Sequence, residues 1–215
     1  MSEELFKKMA QSVIDGDDDE AAALAQQALD QGVDALQAIN KGFTAGMDVV
    51  GELYSTGEYF LPDLILGGEA MKAALGVLEP ALKASGLSRE VLGKIVLGTV
   101  KGDIHEIGKS LVGSMLSANG FEVFDLGIDI EADEFVAKAR EYDADIVALS
   151  ALLTTTMLHQ RDVIEHLAEA GLRDRVKVMV GGSPVTPGWA EQIGADGFAE
   201  DAAGAVVTAK KLMGV

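Results

Sequence analysis

A change of hydrophobic period near residue 85 constrains the fold of this 215-residue chain more than any other feature. Before it, apolar side chains such as Leu5 and Met9 recur at helical spacing. After it, short apolar runs alternate with amphipathic segments of helical period. Strands that alternate with helices in this way form a doubly wound parallel sheet. The sequence therefore predicts a helical domain, residues 1–88, followed by an α/β domain, residues 89–215.

The first domain is predicted to contain four helices. Capping and breaking residues delimit them: Gly32 ends the second helix, Asp34 caps the third, Gly57 ends the third, and Pro62 lies in the first turn of the fourth. Helices joined by such short connections are typical of a four-helix bundle. Residues 85–90, rich in serine and charge, are predicted to be the linker to the second domain.

The second domain is predicted to be a five-stranded α/β fold of the Rossmann or flavodoxin-like type. Strands are predicted at residues 95–100, 121–126, 146–150, 176–180 and 197–199, and helices at 108–119, 132–142, 157–170, 187–193 and 202–213. In such a sheet the carboxyl ends of the strands meet at one edge, and ligand sites lie there.

Composition and charge exclude several classes of function. Seventeen basic against 35 acidic side chains give a formal charge of −18. Such a surface repels nucleic acid and anionic membranes, so no binding to either is expected. The charge either attracts a basic face of a partner or only keeps the protein in solution. The absence of cysteine excludes disulfides, thiolate nucleophiles, iron–sulfur clusters and cysteine-ligated zinc. With no signal peptide and no membrane span in the sequence, we expect a cytoplasmic protein.

Polar and small residues follow three of the predicted strands. His105 comes after the first, with Asp103 two residues before it. Ser150 and the threonines at 154–156 come at the end of the third, and Gly181-Gly182 comes after the fourth. A histidine with a carboxylate partner is suited to metal ligation. A zinc or iron site needs three or four protein ligands, whereas a metal held by a macrocycle needs only one axial ligand. Taken alone, His105 could instead cap the following helix, and the glycine pair could form an ordinary turn.

Three short motifs, in this order, resemble the signature of cobalamin-binding domains: Asp-x-His-x-x-Gly at residues 103–108, Ser-x-Leu at 150–152, and Gly-Gly at 181–182. Residues 51–63 are similar to the helical cap of methionine synthase and of methyltransferase corrinoid proteins. Over nearly its whole length the chain resembles the corrinoid proteins of the methylamine, methanol, glycine-betaine and methoxyaromatic methyltransferase systems. The resemblance implies a four-helix cap followed by a cobalamin-binding α/β domain.

The same resemblance implies roles for individual residues. His105 would be the axial cobalt ligand in place of the cofactor's own lower base, an arrangement called base-off/His-on. Asp103 would accept the other imidazole N–H, and Thr156 would extend this relay by a hydroxyl. Four further groups of residues are implied to contact the cofactor. Ser150 would contact the displaced base, and the nucleotide tail would pass Gly108, Gly181 and Gly182. The corrinoid would also contact Ile107, Leu152 and Thr154, and its upper face would be shielded by Tyr54, Leu61 and Leu64. The alternatives are that the threonines satisfy loop amides and that the last three residues are only bundle core.

The implied function is that of a methyl carrier in one-carbon metabolism, with cobalamin or a related corrinoid passing between cob(I)alamin and methylcobalamin. The chain would not be catalytic alone. Its expected partners are a substrate-specific methyltransferase, a second methyltransferase that uses tetrahydrofolate or coenzyme M as acceptor, and a reductive activation protein. Two alternatives remain open at this point: a cobalamin-dependent sensor or regulatory protein, and the cobalamin-binding subunit of a mutase.

Overall fold

The structure, a computed structural model, describes residues 2–84 and 91–215. Contacts between Cα atoms divide the chain into two compact units, Met1–Glu90 and Val91–Val215. The predicted linker, residues 85–90, lies outside the described residues. Within the described ranges, no helix combines the length and the apolar character that a membrane crossing requires.

The first unit consists of helices. They are α1 (Ser2–Ile14), α2 (Asp18–Asp30), α3 (Ala35–Gln37), a π-helical segment (Ala38–Phe43), α4 (Thr44–Thr56) and α5 (Leu61–Ala84). The third predicted helix therefore runs through α3, the π-helical segment and α4, and the π-helical geometry was not predicted. Asp17 and Asp34 accept backbone N–H bonds at the starts of α2 and α3, as N-cap residues do.

Two glycines allow α1 to pack directly on the following helical segments. An ideal Cβ at Gly42 would lie 2.7 Å from the Met9 sulfur, and one at Gly46 would lie 2.4 Å from the Ala10 carbonyl oxygen. Both distances are far below van der Waals contact, so any larger residue would force the helices apart. Met9, which belongs to the predicted apolar stripe of α1, is fully buried in this contact.

The second unit is the predicted doubly wound parallel sheet. Its strands are β1 (Lys94–Thr99), β2 (Glu122–Asp125), β3 (Ile146–Ser150), β4 (Lys177–Gly181) and β5 (Gly197–Ala199); its helices are α6 (Ile107–Ala118), α7 (Ala132–Glu141), α8 (Leu158–Glu169), α9 (Pro187–Ile193) and α10 (Ala202–Met213). All neighbouring strands are parallel, in the order β2-β1-β3-β4-β5. The fold class predicted from the sequence is confirmed, and the strand and helix ends of this unit differ from the predicted ones by one residue at most.

Helices cover both faces of this sheet. Val147, Leu149 and Ala151 belong to one hydrophobic cluster with residues of α7, α8 and α9. Because side chains alternate along a strand, Ala148 and Ser150 face the opposite layer, which α6 and α10 form. The strand order reverses direction between β1 and β3. In this fold the crevice for ligands lies at that point, beyond the carboxyl ends of the two strands.

Candidate functional site

A tight loop after β1 fixes the backbone of His105. Gly102 adopts a left-handed conformation with φ of +74°, and the Asp103 N–H donates to the Val100 carbonyl at 3.1 Å. The Thr99 hydroxyl then donates to the His105 carbonyl at 2.9 Å. These bonds hold both ends of the loop against β1, so the backbone that carries the imidazole has a defined position.

Asp103 joins the loops that follow β1 and β3. Its Oδ1 lies 2.7 Å from His105 Nδ1 and accepts the His105 backbone N–H at 3.0 Å. Its Oδ2 accepts the Leu152 N–H at 2.7 Å and the Thr156 hydroxyl at 2.5 Å. The carboxylate is fully buried, and each of its two oxygens has two partners. The predicted residues Asp103, His105 and Thr156 are thus brought together in one hydrogen-bonded chain.

These donors determine the charge of Asp103. Burial alone raises the pKa of a carboxyl group, but here the Thr156 hydroxyl, the Leu152 N–H and the two His105 groups outweigh burial. Together they hold the pKa of Asp103 well below its usual range. An ionised carboxylate can only accept a hydrogen bond, so Nδ1 of His105 carries the hydrogen of this contact. The Nε2 lone pair is then the one available to a metal.

Apolar side chains are exposed in the two loops that Asp103 joins. Ile104 is 71% exposed and Ile107 is 85% exposed after β1, while Leu152 and Leu153 are more than one-third exposed after β3. The His105 side chain, 45% exposed, lies in the first of these loops. Large apolar residues clustered at a crevice are typical of a binding surface for a ligand with a broad apolar face.

The donor set at this site suits a metal that arrives with its other ligands. Among residues 2–84 and 91–215, no group of three or more histidine, aspartate or glutamate side chains is arranged to hold a metal ion. His105 therefore offers one nitrogen and no chelating partners. A corrin ring supplies equatorial nitrogens to its cobalt and needs only an axial base from the protein, so the residues present fit such a group.

The residues predicted to contact the nucleotide tail lie along the ends of β3 and β4 and the start of α6. Ser150 pairs in register with Gly181 on one side and with Thr99 on the other. Ser150 and Gly181 are only partly buried, although the neighbouring Leu149 and Ala151 are fully buried. An ideal Cβ at Gly108 would meet no atom within 4 Å. Ser150, Gly181 and Gly108 therefore keep accessible surface where the sequence predicts a ligand.

Gly182 has a reason of its own to be glycine. Its φ is +121°, and an ideal Cβ would lie 1.8 Å from the Ala151 carbonyl oxygen. The end of β4 therefore approaches the end of β3 so closely that no side chain fits between them. The protein's own packing requires this glycine, whatever ligand the site takes.

The predicted cap residues lie in the helical unit and differ in exposure. Leu64 is fully buried, Tyr54 is partly buried and Leu61 is exposed. The burial of Leu64 agrees with the bundle-core alternative. Leu61 and its neighbour Phe60 instead present apolar surface at the start of α5.

Three features of the site were missed in the sequence. The Leu152 backbone N–H and the Thr99 hydroxyl both hold the site together, and neither has a motif of its own. Lys109 is fully buried and forms an ion pair with Asp125 at the end of β2. A lysine on the apolar face of α6 was the available signal for this buried charge, because buried lysines are nearly always paired.

Comparisons with known proteins agree with this geometry. A family model described as a B12 binding domain matches residues 93–207, and a second model with the same description matches residues 5–79. The first of these covers more than half of the chain, including the whole sheet.

Similar proteins were found along the full length of the chain. It is 51% identical to a corrinoid protein of Desulfitobacterium hafniense, over 98% of each chain. It is 46% identical to trimethylamine corrinoid protein 2 of Methanosarcina mazei, over 99% of this chain and 98% of the other. Among solved structures, the methanol:cobalamin methyltransferase complex MtaBC of Methanosarcina barkeri contains a chain with a TM-score of 0.87 and 31% identity, matched over 98% of this chain and 80% of that one. The chain belongs to the corrinoid proteins that bind cobalamin through a B12 binding domain.

Proposed function

We propose that this protein carries a methyl group on a corrinoid bound in the base-off/His-on form, with Nε2 of His105 as the lower axial ligand. The observation that carries the proposal is the pairing of His105 Nδ1 with the buried Asp103, which leaves Nε2 as the available nitrogen. The apolar surface of the surrounding loops supports it. When bound, the corrinoid supplies a cobalt centre that accepts a methyl group from one partner and gives it up to another.

The protein's own contribution is to hold and tune one imidazole. Asp103 orients the ring through its contact with Nδ1. Thr156 and the Leu152 N–H keep Asp103 ionised and fixed. With Asp103 fixed in this way, the ring is held so that Nε2 is the nitrogen that would face the metal.

The tail of the corrinoid is proposed to lie on the α6 and α10 face of the sheet. Ser150 would donate its hydroxyl to the displaced base, while Gly108 and Gly181 would leave room beside it. The partial exposure of Ser150 and the empty space at Gly108 support this path. Further corrinoid contacts are proposed for Ile107, Leu152, Thr154 and Gly182, and shielding of the upper face for Tyr54, Leu61 and Leu64.

Two methyltransferases are proposed as partners, one that methylates the corrinoid from a substrate and one that removes the methyl group. The names of the relatives support this arrangement, since they include a trimethylamine corrinoid protein and a methanol:cobalamin methyltransferase complex. Tetrahydrofolate and coenzyme M are the two acceptor classes proposed for the second enzyme. A reductive activation protein is the third proposed partner.

Electron paramagnetic resonance tests the axial ligand directly. The protein is loaded with cobalamin and reduced to cobalt(II), once with natural histidine and once with histidine labelled with nitrogen-15. We expect a nitrogen triplet that becomes a doublet with labelled histidine, because the nuclear spin of the ligand atom changes. Labelling the dimethylbenzimidazole base should leave the splitting unchanged. A splitting that follows the label in the base would refute the proposed ligation.

A second histidine provides a matched control variant. His159 lies on α8 and its Nδ1 is also paired with an aspartate, Asp162, at 2.7 Å. We expect His105→Ala to abolish the histidine-dependent splitting and His159→Ala to leave it intact. If both variants kept the splitting, His105 would not be the ligand.

A further inference from the structure

Gln160 is a fully buried amide on α8 that contacts the ends of two strands at once. Its Nε2 donates to the Leu149 carbonyl of β3 and to the Gly181 carbonyl of β4, each at 3.1 Å. Both amide hydrogens are therefore used, one on each strand. This side chain lies on the face of the sheet that α7, α8 and α9 cover.

The indole of Trp189 fixes the orientation of this amide. Trp189 Nε1 donates to Gln160 Oε1 at 3.0 Å. Since an indole N–H can only donate, the amide oxygen must face Trp189 and the NH₂ group must face the strands. The side chain therefore acts as a rigid tie between β3 and β4, held from behind by α9.

The chain is tightly packed next to this tie. The Ala151 N–H donates to the same Gly181 carbonyl at 3.2 Å. One residue further, Gly182 lies against the Ala151 carbonyl oxygen with no room for a Cβ. On the face of the sheet opposite Gln160, Ser150 and Gly181 are only partly buried. Any change in the spacing of β3 and β4 would change the width of the surface at these two positions.

We propose that Gln160 is a positioning residue that sets the spacing of β3 and β4 for the nucleotide tail of the corrinoid on the opposite face of the sheet. This inference rests on the proposed tail path past Ser150 and Gly181. It assigns to Gln160 no contact with the corrinoid. Replacing Gln160 should therefore weaken the binding of corrinoids that have a nucleotide tail and leave the binding of corrinoids without one nearly unchanged.

Binding of cobalamin and of cobinamide tests this inference, because cobinamide keeps the corrin ring and cobalt but lacks the nucleotide tail. Dissociation constants are measured for both on the full chain and on Gln160→Met, which keeps the length of the side chain and removes its three hydrogen bonds. We expect Gln160→Met to weaken cobalamin binding about tenfold, which is the effect of misplacing one hydrogen bond between the protein and the tail, such as that proposed for Ser150. Cobinamide binding should change less than about twofold, which is within the ordinary variation of mutant energies.

A matched control separates positioning from general destabilisation. Asn119 is another buried amide of the same unit, at the far end of α6, where its Nδ2 donates to the Met115 carbonyl. Asn119→Leu should lower stability but leave the ratio of the two dissociation constants unchanged. If Gln160→Met weakened both corrinoids equally, or neither, the inference would be wrong.

A second variant keeps the test decisive if Gln160→Met does not fold. Trp189→Phe keeps an aromatic ring but removes the donor that orients Gln160, together with part of the buried ring system. We expect a smaller change of the ratio in the same direction, and an unchanged ratio would contradict the inference. The wild-type chain tests the proposed function separately: if it bound cobinamide as tightly as cobalamin, the tail path itself would fail.

Discussion

Replacing Thr156 with valine removes one hydroxyl group from the centre of the His105 site and nearly conserves the shape of the side chain. Thr156 is almost fully buried, and its hydroxyl donates to Asp103 Oδ2 at 2.5 Å. A hydrogen bond to a charged group contributes about 1.5–3 kcal/mol to stability. The Leu152 N–H stays on the same oxygen, so the carboxylate keeps one donor there. We therefore expect Thr156→Val to lower the free energy of unfolding by about 2 kcal/mol.

Urea denaturation monitored by Trp189 fluorescence measures this change. Trp189 is the only tryptophan of the chain and lies in the second unit, so its signal reports the unit that contains Asp103. With a denaturant slope of about 2 kcal/mol per molar urea, the transition midpoint should fall by about 1 M.

Thr155→Val is the control for this measurement. Thr155 precedes Thr156 in the same loop and is exposed, so the same side-chain change there should alter stability by no more than about 0.5 kcal/mol. Equal midpoint shifts for the two variants would refute the reasoning, because the hydroxyl of Thr156 would then contribute nothing specific to Asp103.

Three further predictions use the same fluorescence assay, and one of them adds a binding measurement. The pKa of Asp103 is lower in the folded than in the unfolded protein, so its contribution to stability is full above about pH 4 and is lost as the pH falls below that value. Below about pH 4, the free energy of unfolding of Asp103→Asn should therefore fall by about 1.4 kcal/mol less per pH unit than that of the wild type. Parallel curves of stability against pH for the two proteins would contradict this. Gly182→Ala should cost at least about 3 kcal/mol, since its Cβ would overlap the Ala151 carbonyl; a midpoint near wild type would contradict the packing. Gly108→Ala should stabilise the apoprotein by about 0.5 kcal/mol, as alanine does in a helix, yet weaken cobalamin binding; unchanged affinity would remove Gly108 from the proposed tail path.

The fold could be predicted from the sequence because two independent periods specify it. Apolar residues at helical spacing in the first unit predict a helical bundle, and alternating strands and helices in the second predict a doubly wound parallel sheet. The π-helical segment, Ala38–Phe43, was not predicted from the sequence, and within it Gly42 packs closely against Met9 of α1. Contacts of that kind join residues far apart in the chain and have no local signal.

The site was predictable in its side chains and not in its backbone. Asp103, His105 and Thr156 lie in one hydrogen-bonded chain, as the resemblance to corrinoid proteins implied. The Leu152 N–H, which shares Oδ2 with Thr156, has no signal in the sequence because every residue except proline carries one. Gly182 was predicted to leave space for a ligand, and the structure shows that the close approach of the Ala151 carbonyl also requires glycine at this position.

All three histidines of this chain pair Nδ1 with an aspartate, so that pairing alone does not identify a metal ligand. His159 and His166 contact Asp162 and Asp133, which are 49% and 91% exposed, and water screens such pairs. The partner of His105 is fully buried. A buried carboxylate with four donors cannot rotate or exchange partners freely, so it fixes the direction in which Nε2 points. Orientation of the imidazole by Asp103, with the exposed side chains of Ile104 and Ile107 beside it, distinguishes His105, the proposed ligand, from the two histidines in surface ion pairs.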